Sequence, residues 1–504
     1  VRVLIFHGYL LRGTGSNVYN ANLAAALGRL GHEVHLLCQD REPPDMPGVT
    51  VHIPDIGRVL PVYVADRYAG FDAKPFPELT DAELEHYLEA NVAAVREVAA
   101  QAPPDAALAN HLVMGPVIVR RGLDGAAPYA VKVHGSALEY TVKPHPERFL
   151  PYAREGLEAA SAVLVGSDHT AQSLWAALEN PSLRERTRLG PPGVDVEAFA
   201  PRDPAAAAEG VRRLAARLAE RAASGEAAAS GTDASAGAGS SFDVDESAAA
   251  EALARLSPGE DRLVAFVGKL IVSKGIDLLL AAWPLVLARE PAARLVVVGF
   301  GGYREATEAL VRALAAGDLT AVRDLARRGR GAEGGPAGRL EMLDAFLDRL
   351  DADGALRVAY LRAAEGMADR VVLTGRLEHD DLADLLPACE ALVTPSTFPE
   401  AFGMVAAEGA ACGALPVSAG HSGLAEVAAT LADAVPEAAR DWLSFPLGPR
   451  AVEDLAERLV AWLGAPEAVR EPTRSALVET VARNWSWEGV ARGVLAAATG
   501  RFSG

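Results

Sequence analysis

Residues 266–280 read FVGKLIVSKGIDLLL: the close of an apolar run, a short loop carrying two lysines, and the start of a helical pattern. The run it belongs to, RLVAFVGKL, is aliphatic and β-branched and breaks at a glycine, as a buried strand does. Four more such runs follow, RLVVVGFGG, RVVLTGRL, ALVTPS and ALPVSAG, with helical patterns between them. Upstream the alternation starts at the first residue. VRVLIFH reads as a strand, residues 16–30 as an amphipathic helix stopped by Gly31, and EVHLLCQ as a second strand, with YAVKVHG and AVLVGS further on. Strands alternating with helices pack as parallel sheets covered on both faces, so the expected fold is α/β with two doubly wound, Rossmann-like domains.

Length agrees, because 504 residues exceed the ~250 to 300 at which one core stops growing. Half the residues are apolar and 23% are charged, the balance of a soluble globular protein. A net charge of -19 repels phosphate backbones and acidic lipid, which excludes nucleic acid and acidic membrane as expected main partners. Cys38, Cys389 and Cys412 are too scattered for a zinc site or disulfide framework and fit a reducing, cytoplasmic setting. The opening VRVLIF has neither the basic flank nor the cleavage site of a signal peptide, and the most apolar stretch, near residues 276–288, contains Pro284 and is too short to span a bilayer.

Composition divides the chain further. In residues 222–241, 17 of 20 are Ala, Gly or Ser, too little apolar surface to offset the entropy of ordering, so a linker or insertion is expected over 205–258. The domains are then 1–204 and 259–480, with a final helix in 481–504 expected to pack back on the first. Residues 304–368 carry leucines on helical spacings where an ordinary crossover needs only about a dozen residues, which marks an added helical subdomain that could also join two copies of the chain.

Of 48 basic residues only five are lysine, and two of these, Lys269 and Lys274, share the loop at the sheet edge where doubly wound folds bind ligands. Two ammonium groups there suit a diphosphate leaving group, whose charge grows as a bond breaks. In TPSTFPEAFGMVAAEGAACGALPV a helix is expected to begin near Phe402 to Met404, leaving the amides of Phe402, Gly403 and Met404 open. Glu400 precedes that helix and Glu408 lies more than a turn inside it, a separation that suits two ends of one ligand better than a shared proton. The first loop, HGYLLRGTGSNVYN, also has glycines ahead of a helix, but Val18 stands where a dinucleotide motif has its third glycine or alanine. Lys132, Lys143 and Arg148 flank the strand ending at His134, and Arg12 lies in the first loop, a basic gathering that points to an anionic acceptor.

The set GK-x4-KG, PEAFG-x4-E (an E-x7-E motif) and GHSGLAE resembles the retaining glycosyltransferases of GT-B fold, family four, along most of the chain outside the linker and the 304–368 insertion. The resemblance implies two domains facing each other across a cleft, a nucleotide-diphosphate sugar as donor (UDP favoured, GDP or ADP as alternatives), net retention, and neither metal nor cofactor. It assigns Lys269 and Lys274 to the donor diphosphate, Glu400 with the amides of Phe402 and Gly403 to the transferred sugar, and Gly268 and Met404 to donor binding. Glu408 is assigned to the ribose, His134 to the reacting centre, and Gly15 to the diphosphate and acceptor. Two positions depart from the family: Lys269 replaces arginine, and PPGVD at 191–195 replaces PNGVD. No DxD pair closes a strand and no His/Asp cluster has ligand spacing. The other readings are a GT-B sugar-nucleotide epimerase, which needs a carboxylate base facing the sugar in the first domain, and a catalytically silent nucleotide-sugar-binding scaffold subunit.

Overall fold

The computed structural model describes residues 1–64, 68, 70–224 and 244–501. Two compact units emerge. The chain leaves the first unit between Gly193 and Val194 and returns to it between Asn484 and Trp485.

In the first unit, β1 (Arg2–Phe6), β2 (Glu33–Leu37), β3 (Val49–His52), β6 (Ala106–Asn110), β7 (Tyr129–Val133), β8 (Ala162–Val165) and β9 (Thr187–Leu189) form a parallel sheet in the order β3-β2-β1-β6-β7-β8-β9. β4 (Val59–Val62) and β5 (Asp72–Pro75) pair separately. The strands read as continuous apolar runs because both faces are covered. On one face lie the helix Gly15–Arg29, one residue ahead of its expected limits, and the C-terminal helix Trp487–Ala498, which contributes Trp487, Ala491 and Val494 to the core. On the other lie helices Asp81–Gln101, Gly115–Leu123 and Pro146–Glu158.

The second unit repeats the plan with β10 (Arg262–Val267), β11 (Ala293–Val298), β12 (Val371–Gly375), β13 (Cys389–Thr394), β14 (Leu415–Ala419) and β15 (Ser444–Phe445), in the order β12-β11-β10-β13-β14-β15. Strand order reverses between β1 and β6 in one unit and between β10 and β13 in the other. Loops leaving the carboxyl ends of such neighbours part to opposite faces and open a crevice, the usual ligand site of the fold. No described helix is long and apolar enough to cross a membrane; the apolar stretch after Gly275 is the helix Ile276–Leu287, buried nearly all round.

The added subdomain contains four helices, Arg304–Ala315, Leu319–Arg328, Glu341–Ala352 and Gly354–Ala364. Leu310, Leu314, Val322, Phe346 and Leu350 are buried, and the group packs on helices Ile276–Leu287 and Ala451–Leu463 of its own unit. The Tyr360 hydroxyl donates to the Ala281 carbonyl (2.9 Å), and Arg349 pairs with Glu453. The leucine stripe is therefore covered from within the unit.

Within the expected linker or insertion over 205–258, helices Pro204–Ser224 and Glu246–Ala254, on either side of the Ala/Gly/Ser run, both belong to the second unit and pack on each other. Beyond Ser224 that run lies outside the described residues. The first of these helices docks through arginines. Asp384 accepts from Arg202 (2.9 Å), Arg213 (2.6 Å) and Arg217 (3.0 Å), while Asp381 accepts from Arg217 (2.9 Å) and Arg221 (3.2 Å). Burial opposes the charge on Asp384, but the three arginines outweigh it and hold its carboxyl below the usual range. Because the arginines are partly solvated, Asp384→Ala should cost about 1–2 kcal/mol. The check is amide hydrogen exchange, which should quicken in helix Pro204–Ser224 and stay unchanged in the first unit's sheet.

Candidate active site

The second unit's crevice is built by the loops after β10 and β13. The first passes Gly268 and Lys269, makes a single 3-10 turn at Val272–Lys274 and enters the next helix at Gly275. Gly275 has φ +68°, and a Cβ there would lie 2.0 Å from the Pro395 carbonyl oxygen, so only glycine lets the two loops approach this closely. The Thr397 amide donates to the Ser273 carbonyl across that contact (2.9 Å). The apposition brings the Lys274 ammonium onto Glu400 Oε1, which also accepts from the Ser396 hydroxyl (2.6 Å). Burial alone would raise the Glu400 pKa; Lys274, Ser396 and His421 outweigh it and hold the carboxyl below its ordinary value. The Glu400 backbone is fixed as well, its amide donating to Ser422 Oγ (3.0 Å) and its carbonyl accepting from the Gly423 amide (3.0 Å).

Phe402 is buried, and the helix Met404–Ala411 starts where expected, with Gly403 at its N-cap at φ +119°. Glu408 lies inside this helix with its side chain buried. Its Oε1 is 2.8 Å from His379 Nε2, and its Oε2 has no hydrogen-bond partner among the described residues. Burial disfavours the imidazolium of His379, but Glu408, with Asp380 and Asp195 beyond it, more than compensates and lifts the pKa above the ordinary value. The two glutamates thus have separate basic partners. The Lys269 ammonium stands 5.9 Å from the Phe300 ring centroid.

In the first unit, the crevice between β1 and β6 is lined by rings. His7, at the end of β1, and His111, after β6, stack with centroids 5.7 Å apart, and His134 lies 4.9 Å beyond His111. Tyr9 and Tyr63 complete the cluster. Asn110 Oδ1 lies 2.8 Å from His134 Nε2, and Asn110 Nδ2 donates to the Phe6 carbonyl (3.1 Å), so the amide presents an acceptor and His134 carries its proton on Nε2. Burial, followed by His111, Lys132 and His7, pushes the His134 pKa well below the ordinary value; burial likewise lowers His7 to about 4. This crevice is neutral near pH 7, in contrast to the charged one.

The expected basic gathering is not how the structure uses these residues. Lys132 is buried, its ammonium on the Gly190 carbonyl (2.5 Å) and 5.3 Å from the Tyr19 ring centroid, with a pKa lowered by burial to about 7. Arg148 donates to the carbonyls of Pro77 (3.0 Å) and Leu79 (2.6 Å). Lys143 is exposed and pairs with Glu139 (2.6 Å), and Arg12 donates to the Glu42 carbonyl (2.5 Å). Gly15 is the exposed first residue of its helix. Side chains unremarked in the sequence do hold the site: His7 bridges Asn17 and Asn20 (3.0 Å each), and Ser396, Ser422 and His379 hold the glutamates. The i, i+3 placement of Asn17 and Asn20 on one helix face was the available signal for that network. Among the described residues no group of three or more His, Cys, Asp or Glu side chains is arranged to hold a metal ion.

Residues 14–193 match the glycosyl transferase 4-like domain, and residues 351–466 match glycosyl transferases group 1. A D-inositol 3-phosphate glycosyltransferase of Segniliparus rotundus is 30% identical over 256 residues, which span 51% of this chain and 43% of that protein. Among solved structures, sucrose-phosphate synthase of Thermosynechococcus elongatus is 19% identical with a TM-score of 0.59, covering 98% of this chain and 96% of that one. Anabaena HepE in complex with UDP and glucose is 14% identical with a TM-score of 0.56, covering 98% of each chain. An α,α-trehalose-phosphate synthase (UDP-forming) of Burkholderia vietnamiensis is 16% identical with a TM-score of 0.55, covering 99% of each chain. With a family domain in each half, together more than half of its length, and the GT-B fold over nearly all of it, the chain belongs to the group 1 glycosyltransferases of GT-B fold.

Proposed function

We propose that the protein is a retaining hexosyltransferase that moves a sugar from a nucleotide-diphosphate sugar, UDP-sugar by preference, to a small anionic acceptor. The observation that carries this reading is the Lys274–Glu400 pair at the switch point of the second unit, where an ammonium and a carboxylate from two loops meet beside the N-terminus of helix Met404–Ala411. The acceptor class draws support from the phosphorylated compounds named for the relatives, and the donor class from the UDP and UDP-glucose complexes of HepE.

In the mechanism that follows, the donor diphosphate takes over Lys274 from Glu400 and recruits Lys269. Charge on the diphosphate rises as the glycosidic bond breaks, so these ammonium groups act most strongly in the transition state. Glu400, freed from Lys274, accepts from sugar hydroxyls, and the amides of Phe402, Gly403 and Met404 donate to the same sugar. Glu408 turns its unpaired Oε2 to a ribose hydroxyl while His379 holds Oε1. The acceptor hydroxyl attacks the anomeric carbon on the face that the diphosphate leaves, and its proton passes to the departing phosphate oxygen, so configuration is retained and charge balances. In the first unit, His134 stays neutral and is oriented by Asn110. Transfer should proceed in chelator, because Lys269 and Lys274 supply the positive charge.

The test is a screen of UDP-, GDP- and ADP-sugars for nucleotide diphosphate release, with and without inositol phosphates or sugar phosphates, followed by NMR of the product's anomeric proton. Release from no donor, or an inverted product, overturns the reading. Lys274→Ala should lower single-turnover rate on saturating donor by roughly a hundred- to a thousandfold, whereas Lys269→Arg, which keeps the charge, should change it far less. The His379–Glu408 pair gives a pH signature. Because the folded-state pKa of His379 is raised, the pair is fully formed below the unfolded imidazole value of ~6.5 and is lost as pH rises through the higher folded value. Donor KM should therefore rise on the alkaline side in the parent, and His379→Gln should abolish that limb; an unchanged profile in the variant contradicts the role given to the pair.

A further inference from the structure

We infer that Glu333, contributed by the added helical subdomain, is a positioning residue for the lysine loop: its carboxylate caps the turn that presents Lys274. The inference rests on the reading of that loop as the site of the donor diphosphate.

A single 3-10 turn has little to hold it. Its first amides have no partner within the turn, and Ile271, at the N-cap of Val272–Lys274, has no side-chain oxygen to offer. The missing acceptor comes from 61 residues downstream, where Glu333 Oε2 takes the Val272 amide at 2.6 Å. The other oxygen, Oε1, accepts from Arg330 Nε at 3.2 Å, and the Glu333 side chain is only 10% exposed. A shielded carboxylate on a backbone amide makes a charge-assisted hydrogen bond, among the stronger ones a loop can form.

The connection from β11 into this subdomain touches the loop as well, at its root. The Leu270 amide donates to the Phe300 carbonyl (2.6 Å), and the Tyr303 amide donates to the Leu270 carbonyl (2.9 Å), just where the subdomain leaves β11. A Cβ at Gly301 would lie 2.5 Å from the Leu270 oxygen, and one at Gly302 would lie 3.1 Å from the Glu333 carbonyl oxygen, so root, turn and Glu333 are packed as one piece. The helices behind Glu333 are seated on the body through Phe346, Leu350 and Tyr360. The added residues thus fasten the loop whose ammonium must wait, already placed, for a diphosphate. Glu333 acts through Lys274 and is not assigned any contact with substrate.

The experiment is a double-mutant cycle on the full chain, with nucleotide sugar as the probe. Glu333→Ala should lower kcat/KM for donor by roughly tenfold, mainly in kcat at saturating donor, and Glu333→Gln, which still accepts from Val272, should remain within about twofold of the parent. In a Lys274→Ala background the same Glu333→Ala change should cost less than about twofold, because the group it positions is gone. Exchange of the Val272 amide should quicken in Glu333→Ala and not in Glu333→Gln. Glu333→Ser, too short to reach the turn, replaces the alanine variant if that one does not fold. A parent-like Glu333→Ala, or an equal loss in both backgrounds, overturns the inference while the donor reading stands. If Lys274→Ala itself keeps the parent rate, the donor reading fails and this inference falls with it.

Discussion

An ammonium and a carboxylate 126 residues apart in the chain meet at the crevice of the second unit, and the site takes its form from that meeting. Desolvation beneath its loop disfavours the charge on Glu400, and Lys274, Ser396 and His421 more than offset it. Lys274, for its part, would be free to wander through many rotamers without the carboxylate that fixes it. The pair reaches this geometry only because Gly275 lets the two loops lie against each other. On the function proposed above, the arrangement is a waiting state: a diphosphate, with more negative charge than Glu400, takes the ammonium and leaves the carboxylate for the sugar.

Both units place their polar residues where strand order reverses, yet they fill the crevice differently. The first unit gathers His7, His111, His134, Tyr9 and Tyr63, neutral rings held by Asn17, Asn20 and Asn110. The second gathers two glutamates, one held by a lysine and the other by a histidine. Ring stacking and amide hydrogen bonds make a site that discriminates by shape; charge pairs make one that responds to an anion.

Much of this was legible in the chain itself, for identifiable reasons. Parallel strands buried on both faces read as unbroken apolar runs, so β10, β11, β13 and β14 announced themselves, and Lys269, Lys274, Glu400 and Glu408 stood out because the runs placed them at strand ends and at a helix start. Lys132 misled because a lysine beside a strand end looks solvent-facing; its stem in fact lies along Tyr19 while its ammonium finds the Gly190 carbonyl. Arg148 misled as well, its guanidinium being engaged by the carbonyls of Pro77 and Leu79 and by Asp81. Glu333 was invisible, since nothing local distinguishes a glutamate in a glycine-rich turn from one that reaches a loop 61 residues earlier. The expected linker or insertion over 205–258 takes in helices Pro204–Ser224 and Glu246–Ala254, because alanine is at home in helices as well as in linkers.

That helix pair has a practical consequence. Asp381 and Asp384 moor the first helix to the body, and Arg221 reaches Glu246 on the second (3.1 Å), so the chain departs from and returns to points fixed by independent contacts. Residues 224 and 244 are both held on the second unit, and the entropy of closing a flexible chain between fixed ends grows only with the logarithm of its length, about 0.6 kcal/mol for each doubling. Here is a natural port in the molecule: a fluorescent domain, an affinity handle or a tether to a surface could be spliced in between residues 224 and 244 with little thermodynamic penalty, its attachment points held on the second unit.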